Sequence, residues 1–375
     1  MNITKATIFF FLASICTSCI AQKAITIKNP TKLLRTEEVI SIEWNKVIEG
    51  FGVLDPNAMV VVDRTTGKEV PFQVTYEGGQ IPKELLIQTT VPSMGAKQYI
   101  IKKQKPQATV IGKSFGRYVP ERLDDFAWEN DKIAFRMYGK ALEGTKGDAY
   151  GIDVWVKRTD KLVIDARYLR GKYHEDIGDG LDYYHVGKTN GAGNCAPIVG
   201  DTIYYSGNYH RFNILENGPL RTKFVLHYDE WLVAGKKVTA TKTITLDAGS
   251  QMNKVEATYK IDKDSLDIVV GIIKRPVAGI MNLDEKNNIM AYWEPQHGAD
   301  GTTGVGVILP NPLFKIKVGE EQILAYTKAK SGSPYTYYQG AAWDKAKIIT
   351  NADAWNKYLK EYQMKLQNPL VVTIK

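Results

Sequence analysis

From about residue 22 onward the chain alternates apolar and polar positions with a period of two, the pattern of strands that bury one face and wet the other. A first set of such runs falls within residues 22–105. It comprises Glu38-Val39-Ile40-Ser41-Ile42-Glu43-Trp44, Met59-Val60-Val61-Val62, residues 69–76 after a Thr66-Gly67 turn, Leu85-Leu86-Ile87 and Tyr99-Ile100-Ile101. Short runs separated by turn residues predict a small β-sandwich. The polar stretch Lys102-Lys103-Gln104-Lys105-Pro106-Gln107 breaks the alternation and sets a domain boundary between residues 108 and 109.

Beyond that boundary the strands lengthen. Residues 132–138 and 151–156 alternate, and 237–246 pairs with 254–261 around an Asp247-Ala248-Gly249-Ser250 turn. Residues 269–273, 304–309 and 322–327 add more, so 109–375 is expected to form large antiparallel sheets. One helix is expected, because Trp355, Tyr358, Leu359 and Tyr362 share a helical face and Asn351 or Asp353 stands where a cap belongs. Pro369 ends it and residues 370–374 read as a last strand. The fold class is all-β, with a small sandwich, large antiparallel sheets and one C-terminal helix.

Residues 1–21 have another character. Lys5 precedes an apolar run from Ala6 to Ile15, and the small residues Cys19 and Ala21 occupy the positions a signal peptidase reads. The run is too short and wrongly flanked for a membrane span, and cleavage after Ala21 leaves Gln22 first. Thr17-Ser18-Cys19 offers a lipoprotein alternative, which Cys16 weakens by standing where a larger aliphatic residue is preferred. After cleavage Cys195 is the one cysteine, so no internal disulfide can form. An export signal without disulfides points to a bacterial envelope location, periplasmic or extracellular.

The chain carries a formal +8, and loss of Lys5 leaves +7. Its lysines are scattered through strands, with no basic run, which argues against nucleic acid. A basic surface attracts anionic substrates such as uronic acid polymers, although exported proteins are also lysine-rich for solubility. No phosphate-cradling glycine loop, paired-cysteine or His-Glu-x-x-His zinc pattern, or Gly-x-Ser-x-Gly elbow occurs. No cofactor is required by the sequence.

Candidate chemistry gathers in residues 173–185, which hold Tyr173, His174, Asp176, Asp182 and Tyr183 among two histidines, four carboxylates and three tyrosines. Gly178 and Gly180 make this a loop, and its oxygens leave calcium open as a ligand although the spacing is not that of a helix–loop–helix site. A purely solvated acidic loop does not need those aromatic residues. Residues 122–131 supply Arg122, Glu129, Asn130 and Asp131 for sugar hydroxyls and Trp128 as a stacking platform or a core residue. Asn208-Tyr209-His210-Arg211, the segment holding Trp293 and His297, and the aromatic band at 335–343 are similar mixtures.

The strings Phe126-Ala127-Trp128-Glu129-Asn130-Asp131, Ala134-Phe135-Arg136-Met137-Tyr138-Gly139, Tyr173-His174-Glu175-Asp176 and Tyr292-Trp293-Glu294-Pro295 resemble an exported bacterial family known as domain of unknown function 4861. That resemblance covers most of the chain after the signal and implies a setting among polysaccharide-utilisation genes. The overall plan is also similar to the β-supersandwich of galactose-mutarotase-like proteins and several polysaccharide lyases, an analogy of fold that leaves function open.

The resulting expectation is a carbohydrate-active protein for uronic-acid-containing, pectin-like oligosaccharides, acting by β-elimination. His174 would be the base, Tyr173 or Tyr183 the acid, and Arg122 or Arg136 the carboxylate anchor, with Tyr138 on the same strand face as Arg136. Glycoside hydrolysis or epimerisation through paired carboxylates, with Glu129, Asp131, Asp176 and Asp182 as candidates, is the alternative. A non-catalytic sugar-binding protein is the third reading.

Overall fold

The computed structural model describes residues 23–107, 111–309 and 315–375. The expected export segment and the boundary between 108 and 109 lie outside the described residues. Among these, the strands form five sheets with antiparallel pairing inside each.

The N-terminal runs make a two-layer sandwich. A four-stranded sheet in the order Val371–Ile374, Ile25–Lys28, Ala96–Lys102, Val60–Asp63 faces a three-stranded sheet in the order Arg35–Glu43, Glu84–Val91, Phe72–Thr75. Ile25, Ile27, Ile42, Leu85, Ile87 and Tyr99 fill the space between them. The final strand pairs with the first in the register Ile25↔Ile374 to Lys28↔Val371, so the chain from residue 371 onward sits in the N-terminal sheet. Trp44, read as the end of a strand, begins helix α1 (Trp44–Phe51). Trp44 and Val47 are buried there, and Ile48 and Phe51 pack on the same core. The rest of that run is a strand, Arg35–Glu43, as its alternation predicted.

The larger unit is built on an eight-stranded sheet. Its order is Arg211–Asn217, Arg221–Val233, Lys236–Asp247, Met252–Ile261, Pro334–Trp343, Thr303–Ile308, Ile289–Trp293, Ile280–Asp284. Facing it are two five-stranded sheets. The first, called here the polar-backed sheet, runs Gly180–Asp182, Ile152–Lys157, Ala134–Met137, Asp125–Asn130, Ser114–Val119. The second runs Thr202–Ile203, Ala192–Val199, Ser265–Ile273, Gln322–Lys330, Lys315–Val318. A bridge between Ile152 and Gly191 joins these two edge to edge. One continuous apolar core lies between the layers, with Phe224 stacked on Phe126 at 4.1 Å and tilted to Trp128 at 5.1 Å. This is an all-β sandwich, with the C-terminal helix where the 3.6-residue period placed it.

That helix, α3 (Ala352–Gln367), lies on the outer face of the eight-stranded sheet. Asn351 caps it, accepting from the Ala354 N–H at 2.9 Å. Trp355 and Leu359 are fully buried against Ile289, Ile308 and Trp293. Trp293 is therefore a packing residue under α3, with 8% of its surface exposed and no ring face open to a sugar. Gly304 and Gly306 allow the close approach. A Cβ on Gly306 would lie 2.7 Å from Leu359 Cδ1 and 3.0 Å from Trp355 Cζ2. Gly306→Ala is expected to cost about 1–3 kcal/mol by overpacking, read as a lower urea midpoint of the full chain at unchanged slope. An unchanged midpoint would show that α3 does not rest on this strand.

Candidate functional site

The expectation of one wet face fails on the polar-backed sheet, because its strands are buried on both faces. Phe126, Trp128, Phe135, Met137 and Val154 point into the core, as their register requires. The alternate residues Asp125, Glu129, Arg136, Asp153, Lys157 and Asp182 are buried too. They lie beneath helix α2 (Ile164–Arg170), which the apolar pattern did not announce. Glu129 explains the helix's position. Its Oε1 accepts from the Val163 and Ile164 N–H groups at 2.7 and 2.8 Å, and its Oε2 holds Lys157 Nζ at 2.5 Å. A carboxylate at a helix start satisfies orphan donors and the helix dipole together.

Arg136 is the hub of this face. Its guanidinium lies 2.5 Å from Asp153, 3.0 Å from Asp182 and 3.5 Å from Asp125, and it stacks on Tyr138 at 5.0 Å and Trp155 at 5.1 Å. Three carboxyls here face two guanidiniums, Arg136 and Arg122, so one negative charge is in excess. The cluster answers by holding protons. Burial, then the neighbouring Asp182, push Asp153 up to about 8 against the pull of Arg136. Burial raises Asp125 to about 6 against Arg136 and Arg122. The cation held by these carboxyls is thus a guanidinium.

The structure brings several expected residues together. Arg122 Nε donates to the Tyr173 hydroxyl at 3.2 Å, and Tyr173 lies against His174 with ring centroids 4.6 Å apart. His174 Nδ1 is 2.7 Å from the Asp182 carbonyl oxygen, and its side chain is 67% exposed. The 173–185 loop is not a bare acidic loop, because its carboxylates Asp176, Asp179 and Asp182 are paired. Asp176 pairs with Arg158 at 2.6 Å and accepts from the Gly178 and Gly180 N–H groups, while Asp179 faces Arg170 and Arg167. Among the described residues no group of three or more His, Cys, Asp or Glu side chains is arranged to hold a metal ion.

Other expected residues serve the fold. Trp128 is fully buried and its Nε1 donates to Asn253, so its ring offers no sugar platform. Asn130 binds the Asp247 and Ser250 carbonyls at 2.7 Å each, and Asp131 holds the Gly249 N–H. Arg136, Tyr138 and Asp182 are spent on the cluster above, which closes Arg136 to a substrate carboxylate. Tyr183 lies apart from His174's ring partners. Its hydroxyl meets Thr303 at 2.6 Å and its ring stacks on His297 at 5.1 Å. Beside His297, Glu294 pairs with Arg275 at 2.7 Å, and burial pushes its carboxyl up to about 7.

An open concavity lies next to the Arg136 cluster and was only partly visible in the sequence. It is a cleft of about 470 Å³ lined by Tyr118, Asp124, Lys140, Tyr209, His210, Arg211, Phe212, Asn213 and His227. Asp124 forms its floor in a strained backbone. Leu123 and Asp124 both have left-handed φ values, 49° and 63°. Two neighbours hold that conformation. The Tyr209 hydroxyl donates to the Asp124 carbonyl at 2.5 Å, and Gly139 packs against the same carbonyl where a Cβ would collide. The Tyr118 hydroxyl donates to the Asp124 carboxylate, which raises the phenol to about 12. His227 Nε2 is 2.8 Å from Asn213 Oδ1, and burial, Arg211 and His210 hold its imidazole below the ordinary histidine value. His210 pairs with Asp229 at 2.9 Å. Asn208 precedes this wall with its side-chain amide buried and unpaired among the described residues. The string 208–211 signalled the cleft; Tyr118 and Asp124 flank the turn before Asp125–Asn130 while His227 stands far along the chain in Arg221–Val233, and they gave no common signal.

Two measurements test this electrostatic reading. Arg136→Leu leaves its buried carboxyls without their central cation and is expected to cost about 3–5 kcal/mol, whereas the exposed His174→Ala costs under about 0.5 kcal/mol, both by urea unfolding. Asp125, Glu294 and Asp153 bind protons in the fold that the unfolded chain releases near pH 4, so stability falls as pH rises from about 5 to 8. Glu294→Gln should flatten that slope in melting temperature against pH, and an unchanged slope would refute the shift assigned to it.

Comparison with known proteins agrees with this architecture. The chain is 29% identical over 401 residues to uncharacterized protein P7 of Formosa agariphila, covering 98% of each. Its fold is similar to a crystal structure of a protein in glycosyl hydrolase family 38 from Enterococcus faecalis, with a TM-score of 0.54, 10% identity and coverage of 94% of this chain and 47% of that one. An α-mannosidase structure from Enterococcus faecalis matches with a TM-score of 0.50 and 11% identity, over 94% of this chain and 46% of that one. The chain thus spans about half the length of the solved structures it matches. The family model Domain of unknown function (DUF4861) matches residues 27–372, and the chain belongs to that family.

Proposed function

We propose that this protein acts on uronic-acid-containing, pectin-like oligosaccharides by β-elimination in the Asp124 cleft. The observation that carries the reading is the composition of that cleft: two imidazoles, a tyrosine–carboxylate pair, two cations and an aromatic ring around one concavity. The solved structures that share the fold are named for glycoside chemistry, which accords with a sugar ligand. The layout of residues 1–21 supports export from the cytoplasm.

Elimination needs a base for the proton alpha to the carboxylate, a cation to acidify that proton, and an acid for the departing oxygen. With Nε2–H donated to Asn213, His227 keeps the lone pair on Nδ1, and its lowered basicity leaves it neutral at physiological pH. It takes the proton. The C–H electron pair becomes the new double bond, and the β carbon–oxygen bond breaks with its electrons on oxygen. Tyr118, hydrogen-bonded to Asp124, protonates that oxygen. Arg211 and Lys140 neutralise the uronate carboxylate. Hydrolysis by two carboxylates is less well served, since among the described residues Asp124 is the one carboxylate lining this cleft.

The test is product chemistry with purified full chain and uronide oligosaccharides. An ultraviolet-absorbing unsaturated product is expected, and a saturated reducing end would overturn elimination. His227→Gln should lower kcat about 10²–10⁴-fold with the fold intact, while His174→Ala keeps most activity; the reverse would move the base to His174. Because His227 must be neutral, the rate is lost as pH falls through a value below 6.5.

A further inference from the structure

A second hollow of about 250 Å³ adjoins the Asp124 cleft and shares two of its residues, Arg211 and His227. Its floor is the wet face of the eight-stranded sheet, and the register explains its chemistry. Arg211 stands opposite His227, His227 opposite Thr241, and Thr241 opposite Thr258. Directly paired residues of antiparallel strands share a face, so these four form one row across four strands. Three inter-strand steps span ~14 Å, the length of a short oligosaccharide rather than one sugar ring. Thr239 adds a third hydroxyl beside Thr241.

The rim has its own cause. The pairing of Arg221–Val233 with Lys236–Asp247 shifts register between Tyr228 and Trp231, so Asp229 and Glu230 together stand opposite Thr239 in a bulge. Bulges bend a strand and re-aim its side chains, and this one raises a wall beside an otherwise flat face. Asp229 then ties that wall to the first cleft through His210 at 2.9 Å. An ordinary solvated sheet face has threonines too, but not a walled hollow continuous with a cleft.

We propose that this hollow is a second sugar subsite, binding the uncharged hydroxyl face of the residue next to the uronate through Thr239, Thr241 and Thr258. It rests on the reading of the Asp124 cleft given above and adds to it that the substrate is at least a disaccharide, with the scissile linkage over the Arg211–His227 divide. A threonine hydroxyl donates and accepts, which suits a sugar hydroxyl of either role.

The experiment is calorimetric binding of galacturonate, digalacturonate and trigalacturonate to the His227→Gln full chain, with and without Thr241→Val and Thr258→Val. Valine keeps the branched shape and removes the hydroxyl, and circular dichroism checks the fold. Digalacturonate is expected to bind at least tenfold tighter than the monomer. The double threonine change should remove roughly tenfold of that, leaving monomer affinity unchanged. Equal affinity for monomer and dimer, or a threonine variant that binds the dimer normally, overturns the subsite. If affinity depends on length as stated but the native chain forms no unsaturated product, the subsite stands and elimination falls. If unsaturated product forms with no length dependence, elimination stands and the subsite falls. No binding of any of the three overturns both.

Discussion

A guanidinium placed on the outer face of a sheet, among three carboxyls, must either meet water or be covered. In this protein it is covered. Arg136 has 4% of its surface exposed, and burying such a cluster is tolerable only if its charges nearly cancel and its atoms find partners. Asp153 and Asp182 accept from one guanidinium nitrogen and Asp125 lies 3.5 Å from another, the raised proton affinity of Asp153 reduces the excess charge, and the rings of Tyr138 and Trp155 lie against the cation, although Arg136 Nε and Nη1 keep no hydrogen-bond partner among the described residues. α2 and the 173–182 segment form the cover. Glu129 fixes the start of α2, and Arg158, Arg167 and Arg170 neutralise the loop's own carboxylates.

That cover decides where the neighbouring cleft can open. Asp125 is drawn beneath the cluster while Asp124, the residue before it, turns the other way. The turn is made by two consecutive left-handed residues, Leu123 and Asp124, neither of them glycine. Such conformations persist only where the surroundings over-determine them. Here Tyr209 holds the Asp124 carbonyl, Gly139 leaves room for it, and Tyr118 holds the carboxylate. The result is a carboxylate fixed at the floor of the cleft, opposite an edge strand that contributes Arg211, Phe212 and Asn213.

The contact between the N-terminal sandwich and the larger sheets follows a related rule. Glu216, buried at the end of that edge strand, accepts the Tyr76 and Glu77 N–H groups and the Gln73 side-chain amide, while Gln73 Oε1 accepts from the Leu220 and Arg221 N–H groups. Polar groups buried between the units are thereby satisfied, and the edge strand of the cleft is anchored to the N-terminal sandwich.

Period-two alternation and turn residues determined the all-β class, the long 237–246 and 254–261 pair and the last strand, because these signals are local and each strand carries its own. The capped face at Trp355, Tyr358, Leu359 and Tyr362 determined α3 in the same way. Local pattern also marked 122–138 and 173–185 as unusual, and the contact of Arg122 with Tyr173 joins them. What the alternation could not express is whether the polar face of a strand meets water or protein. Arg136, Glu129 and Asp182 read as available polar groups, and only packing under α2 made them structural. The cleft was partly hidden, since His227 meets Tyr118 and Asp124 only through the packing of two sheets whose strands lie far apart in the chain. Register across the eight-stranded sheet, a property of the tertiary structure alone, put Arg211, His227, Thr241 and Thr258 in one row.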